Sequence, residues 1–208
     1  MKLLLASNSP RRSELLRNAG FEFEVIPSGV DEGQPEPGEG SEAYARRVAR
    51  AKAECVAERS PSGSLVLGAD TIVTLGGWVL GKPSGPFDAA RMLRMLSGQT
   101  HQVITAICVV RAPGQIVALK HEVTFVTFSE LSEGEIRAYV ATREPFDKAG
   151  AYAIQGLASR FVARISGCYF NVVGLPIPLL YEVLKALPDE DIRERVTFFD
   201  SGAISAAP

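Results

Sequence analysis

Apolar and polar positions change period along this chain. Residues 2–6 form a short apolar run that predicts a buried strand, ending at Ser7-Asn8-Ser9-Pro10. Ser9 suits a helix cap and Pro10 its first position; Leu15, Leu16 and Ala19 share one face, and Gly20 stops the helix. Phe21-Glu22-Phe23-Glu24-Val25 alternates strictly, as a strand with one wet face does. A loop over 27–40, rich in proline, glycine and glutamate, leads to Ser41, which caps a long helix with Tyr44, Val48, Ala51 and Cys55 on its apolar face. Leu65-Val66-Leu67 predicts a buried strand running into Gly68-Ala69-Asp70. Residues 71–75 and 78–80 flank Gly76-Gly77, a tight hairpin signature. Pro86 opens a helix through Met92, Leu93 and Leu96, and Gly98 ends it. Strands are expected over 101–111 and 116–128, and Ser132 with Glu135 forms a capping box for a helix to about Thr142. A polar, glycine-bearing stretch covers 145–156, a strand 159–165, and a last helix runs from Pro176 to before Pro188.

Strands and helices interleave while hairpins are frequent, so the expected architecture is α/β with a mixed sheet. The 208 residues suit one domain over 1–187 and a weakly patterned, mobile tail over 188–208. Hydrophobic residues make up 46% and charged residues 22%, which excludes a disordered chain, a collagen or a coiled coil. Against 22 basic residues stand 24 acidic ones, so a general grip on a nucleic-acid polymer is not expected. Cys55, Cys108 and Cys168 are far apart and in no CxxC pair, which points away from disulfides and zinc and towards a reducing compartment. No apolar run approaches the ~20 residues of a membrane helix, and the N-terminal one is too short for a signal peptide; a cytoplasmic protein with no membrane partner is expected.

Five segments carry candidate chemistry. In Ser7-Asn8-Ser9-Pro10-Arg11-Arg12, free N–H groups at a helix start and two forked guanidiniums suit an anion. A capped surface helix with solvated arginines is the plainer account of the arginines alone; the whole arrangement at a strand end favours an anion site. In Gly68-Ala69-Asp70-Thr71, an acid directly after a buried strand sits where α/β folds place ligands, though such an Asp also caps turns. Gly76, Gly81 and Lys82 nearly spell a P-loop, but Pro83 stands where a hydroxyl should meet magnesium and the context is a hairpin, so a P-loop is rejected. Asp31-Glu32 and Lys52, taken with Asp70, suggest a metal-triphosphate site of oxygen ligands. In the stretch from Asp147 to Gly156, Gln155 between Ile154 and Gly156 reads as a buried amide, able to pair with a pyrimidine edge or with loop backbone. His101 and His121 lie in strands without a GxSxG partner motif, and structural roles are expected of them.

Ser7-Asn8-Ser9-Pro10-Arg11-Arg12, Gly68-Ala69-Asp70-Thr71, Gly81-Lys82-Pro83 and Asp147-Lys148-Ala149-Gly150-Ala151-Tyr152 together resemble, in this order, the motifs of the Maf (septum formation) family. The resemblance spans residues 2 to about 187. It implies an elongated, twisted mixed sheet with two lobes and a central cleft, similar to the ITP pyrophosphatases. It implies hydrolysis of nucleoside triphosphates between the α and β phosphates, a divalent cation (Mg or Mn) and a homodimer. By the same resemblance Asp70 is the catalytic carboxylate; Arg11, Thr71 and Gln155 match positions linked to substrate choice. Ser7, Arg12, Glu32, Lys52 and Lys82 match positions around phosphates and metal, with Glu32 and Asp70 as the metal-holding pair. The segment from Lys148 to Gly156 resembles the branch acting on dTTP and UTP, although Ala153 stands where that branch has glycine. A 7-methyl-GTP pyrophosphatase, or a nucleotide-sensing regulator of cell division, are the alternatives.

Overall fold

A computed structural model describes residues 2–188. Its strands are β1 (Leu3–Leu5), β2 (Phe23–Val25), β3 (Leu65–Leu75), β4 (Trp78–Leu80), β5 (Thr100–Arg111), β6 (Gln115–Phe128) and β7 (Val162–Ser166). They form one mixed sheet in the order β2-β1-β3-β5-β6-β7, with β4 pairing β3 off this path. β1 is parallel to β2 and β3, and the other pairings are antiparallel. The helices are α1 (Pro10–Asn18), α2 (Ser41–Ala57), α3 (Pro86–Leu96), α4 (Glu133–Ala141), α5 (Tyr169–Val173) and α6 (Ile177–Lys185). The mixed α/β sheet flanked by helices is therefore as expected. Among the described residues no helix is long and apolar enough to cross a membrane.

Both sheet faces are covered, because side chains alternate along each strand. On one face α2 lays Val48, Ala49 and Ala53 on Leu4, Val66, Ile104 and Cys108. On the other, Leu5, Leu67, Val103 and Ile107 meet Leu16 of α1, Leu93 of α3, Ile136 of α4 and Leu180 of α6. Strand β3 shows the alternation directly. Val66 and Ile72 belong to the α2 side, and Leu65, Leu67, Ala69 and Val73 to the opposite side. Asp70 therefore faces α2, while Thr71 faces the side of α1.

Several expectations are corrected here. Residues 65–75 are one continuous strand, because β5 pairs with it from Leu65 through Thr74. Asp70 thus sits mid-strand, not after a strand end. The open position that a strand end would have supplied arises differently. β1 pairs β3 only at Leu65 to Leu67, and β4 only at Val73 to Leu75, so no strand covers Gly68 to Ile72 on that edge. The buried face of α2 carries Ala45, Val48, Ala49, Lys52, Ala53 and Val56, whereas Ala51 and Cys55 are only half-buried. Small residues lie there because Gly68 lets the helix backbone close in: a Cβ on Gly68 would stand 2.2 Å from the Ala49 carbonyl oxygen and 2.7 Å from the Ala53 nitrogen. Gly40, not Ser41, holds the cap position of α2, and Ser9 caps α1 by position without a side-chain bond. The strand expected over 159–165 starts later, after a 3-10 turn at Leu157–Phe161, and α5 had no counterpart in the sequence pattern. The capping box of Ser132 and Glu135 is present, and Gly76 and Gly77 both take the positive φ of a tight hairpin. The expected mobile tail falls, after Pro188, outside the described residues.

Candidate active site

The uncovered edge of β3 opens into a cleft of about 670 Å³. Ser7, Arg11, Arg12, Glu32, Lys52, Asp70, Thr71, Lys82 and Gln155 all line it, so the structure brings together every residue singled out for a site. They come from the β1–α1 turn, the acidic loop, α2, β3, the segment after β4, and the 144–156 stretch.

The acid side is held by a lysine. Close packing at Gly68 carries Lys52 to within 2.8 Å of the Asp70 Oδ1 and 2.7 Å of the Glu32 Oε1. Lys52 and Asp70 are both buried, and Glu32 is half-exposed. Burial alone would raise the Glu32 pKa. The Lys52 hydrogen bond and charge, with Lys82 and Arg12, outweigh it and hold the carboxyl below its ordinary value. Asp31 lies in the same loop, but one of its carboxylate oxygens accepts the Gly33 N–H at 3.1 Å and shapes the turn. The Tyr44 hydroxyl donates to the Gly33 carbonyl at 3.1 Å and fastens that loop to α2. Burial raises the Tyr44 pKa, and the charges of Asp70 and Glu32 raise it further.

The cationic side is split. Arg12 is buried and turned inward: its Nε donates to the Gly174 carbonyl at 2.8 Å, Nη1 to Ser7 Oγ at 3.1 Å and Nη2 to Thr71 Oγ1 at 3.1 Å. Burial lowers the Arg12 pKa, against Asp70 and Glu32, and an arginine remains charged regardless. Ser7 Oγ also accepts the Ser9 N–H at 3.1 Å, so it shapes the turn as well as holding Arg12. Arg11 reaches across the cleft to Asp147 at 3.2 Å, and Asp147 also pairs with Lys148. Lys82 is exposed just beyond β4.

Gln155 differs from its sequence reading. It is exposed at the cleft wall, not buried, because the Ile154 and Tyr152 side chains take the inward positions instead. Its amide is therefore open to a ligand rather than spent on loop backbone. Sequence reasoning missed Asp147 as a site residue, and also Gly174, Thr105 and Asn171. Asp147 stood in plain view within a quoted motif. Asn171, an amide inside the apolar run 169–173, was the signal for the other two.

Fold and site define an α/β protein with a cleft lined by Arg11, Arg12, Lys52 and Lys82, in which a lysine clamps a strand carboxylate at an open sheet edge. The model of the family described as Maf-like protein matches residues 2–187. A dTTP/UTP pyrophosphatase from Koribacter versatilis is 52% identical over 185 residues, 89% of this chain and 94% of its own length. One from Shigella sonnei is 50% identical over 183 residues, 88% of this chain and 91% of its own. A HAM1 protein from Coxiella burnetii superposes with a TM-score of 0.44 at 16% identity, covering 63% of this chain and 74% of its own; that likeness is too low to bear on the fold. The chain belongs to the Maf family.

Proposed function

We propose that this chain is a nucleoside triphosphate pyrophosphatase that hydrolyses dTTP and UTP to the nucleoside monophosphate and pyrophosphate. The observation that carries this reading is the Lys52-clamped Asp70 in a cation-lined cleft, in a chain about half identical to dTTP/UTP pyrophosphatases. A triphosphate carries several negative charges, and Arg11, Arg12, Lys52 and Lys82 supply the matching cations despite the acidic balance of the whole chain. Phosphoryl transfer asks mainly for positioning and charge neutralisation. In this reading Asp70 takes a proton from a water that attacks the α-phosphorus. The bond between that phosphorus and the bridging oxygen breaks, and pyrophosphate leaves with the electron pair. Lys52 holds the Asp70 carboxylate in place, so the base is aimed before substrate arrives.

Glu32 and Asp70 are the residues that would hold a divalent cation. Each spends one oxygen on the Lys52 ammonium, Glu32 Oε1 and Asp70 Oδ1, which leaves a second carboxylate oxygen on each for a cation, and hard oxygen donors suit magnesium or manganese. Among the described residues no group of three or more His, Cys, Asp or Glu side chains gathers. That fits a cation which takes one or two carboxylates and completes its shell with phosphate and water. When bound, such a cation neutralises phosphate charge. Arg11 and Gln155 would govern which base is accepted, Ser7, Arg12 and Lys82 would meet the phosphate chain, and Thr71 would bear on substrate choice from beside Arg12. The family resemblance supports a homodimer, and the three free cysteines support a reducing, cytoplasmic setting.

The test is product analysis with purified protein and magnesium or manganese on a panel of triphosphates that includes 7-methyl-GTP. Pyrophosphate with dTMP or UMP is expected. An Asp70→Asn variant should lose turnover and stay folded, since the asparagine Oδ1 still accepts from Lys52 and Glu32 still balances its charge. A variant that kept most of its rate would remove Asp70 from the chemistry. Preferential cleavage of 7-methyl-GTP would overturn the pyrimidine assignment, and binding without cleavage would overturn the enzyme.

A further inference from the structure

Thr71 stands beside Asp70, but its hydroxyl is engaged inside the protein. Thr71 Oγ1 lies 3.0 Å from Thr105 Oγ1 and 3.3 Å from the Gly174 carbonyl oxygen, and it accepts from Arg12 Nη2 at 3.1 Å. Proton counting fixes the direction of these bonds. Thr105 Oγ1 lies 2.9 Å from the Asn171 carbonyl oxygen, which can only accept, so the single Thr105 proton goes there. Thr105 Oγ1 is then an acceptor towards Thr71. The Gly174 carbonyl can accept a second proton beside that of Arg12 Nε at 2.8 Å, but it lies 3.3 Å from Thr71 Oγ1, so the Thr71 proton goes chiefly to the nearer Thr105 Oγ1 at 3.0 Å. The Thr71 proton therefore points inward, and one lone pair is all its hydroxyl has left for a ligand.

The far end of this chain is rigid. Asn171 is fully buried on α5, where its Oδ1 accepts the Thr105 N–H at 3.1 Å. Its Nδ2 donates at 2.9 Å to both the Val103 carbonyl and Thr124 Oγ1. Every polar atom of that amide is satisfied, so its orientation has no alternative. Thr105 is also completely buried and is not among the cleft residues.

We propose that Asn171, Thr105 and Thr71 form a one-way hydrogen-bond relay that orients the Arg12 guanidinium, and that Thr71 acts on the substrate through Arg12 rather than by touching the base. Thr105 and Asn171 are then positioning residues of the site. The proposal rests on reading the cleft as the triphosphate site. Three Arg12 donors are used on Gly174, Ser7 and Thr71, and the remaining N–H groups are placed by those three. An arginine that binds phosphate equally in ground and transition states governs KM more than kcat.

The test is steady-state kinetics on dTTP and UTP with Thr105→Val, Thr71→Val, the double variant, and Thr105→Ser and Thr71→Ser. Loss of one relay bond should raise KM about fivefold with kcat nearly unchanged. Both valine variants should do so, the double variant should be no worse than either alone, and the serine variants should restore KM. If Thr71→Val raises KM and Thr105→Val does not, Thr71 touches the substrate itself and the relay is wrong. Additive effects in the double variant, or no effect from either valine, would overturn it equally. Were Thr105→Val not to fold, Thr105→Ala removes the same hydroxyl with a smaller side chain and is read the same way. Failure of the pyrophosphatase reading would show separately, as binding of dTTP and UTP by the parent chain without release of pyrophosphate.

Discussion

Lys52 brings an ammonium into the protein between two carboxylates, and each of the three depends on the others. Removing one member of a buried ion pair costs about 3–5 kcal/mol because the partner is left charged and dry. The clamp therefore fixes the Asp70 side chain in place, and it explains why an asparagine is a gentler probe there than an alanine. Gln155 is the contrasting case, a polar side chain with no such duty. Uracil and thymine offer an N3–H donor flanked by carbonyl acceptors, and an exposed amide can accept from the first and donate to the second. A Gln155→Ala variant should lose pyrimidine preference by about five- to tenfold against purine triphosphates, with thermal stability unchanged. Competition kinetics with paired triphosphates measures this. Unchanged selectivity would take Gln155 out of base recognition.

At the scale of elements, the site depends on how closely α2 approaches β3. That distance is set by Gly68, Ala49 and Ala53, two registers away from the chemistry. A Gly68→Ala methyl would meet backbone atoms, which cannot turn aside as a side chain can. The helix must back away, carrying Lys52 off Asp70. Overpacking of this kind costs about 1–3 kcal/mol. We expect a loss of that size in denaturant unfolding, together with a fall in kcat/KM larger than the stability loss explains. A Gly68→Ala protein with normal turnover would show that the Lys52 contact tolerates the shift. The same packing explains what was and was not legible beforehand. Motif order, through the family resemblance, picks out the nine cleft residues, and strand–helix alternation the mixed sheet, because motifs and local period are carried by neighbouring residue types. On α2 the pattern places Tyr44 and Val48 on the buried face correctly but sets Ala51 and Cys55 beside them in place of Ala45, Ala49, Lys52 and Ala53, because these small alanines answer to a glycine on a distant strand, and the lysine to a distant aspartate. Asp70 was put at a strand end because an aspartate breaks an apolar pattern. The pairing that carries β3 through it comes from β5, which local sequence does not report.

At the scale of the whole molecule, the cleft wall and the core share a titratable group. His101 on β5 is buried, packed edge-on against Phe128 and Tyr152 with ring centroids 5.1 and 5.3 Å away. Its Nε2 meets the Tyr152 hydroxyl at 2.8 Å, and Tyr152 lines the cleft. Its Nδ1 has no hydrogen-bond partner among the described residues, so nothing there stabilises an imidazolium. Burial lowers the His101 pKa from 6.5 to about 4. The unfolded chain therefore binds a proton that the folded one refuses, and the sign follows. Stability from a neutral His101 is complete above pH 6.5 and is lost as the pH falls towards 4. The whole effect is about 3 kcal/mol, of which about 2 kcal/mol is gone by pH 5. The depressed carboxyl of Glu32 adds a loss of the same sign, but only below its ordinary value of 4.5. The interval between pH 6.5 and 5 thus belongs mainly to the histidine. Denaturant unfolding across that interval should show a steep loss in the parent chain and a nearly flat line in His101→Gln, which keeps a partner for Tyr152 without titrating. Equal slopes in the two proteins would place the acid sensitivity elsewhere. Because the protonated ring would push on Tyr152, the 148–156 wall of the cleft should loosen first. Amide exchange in that segment should rise at pH 5 before the sheet itself opens.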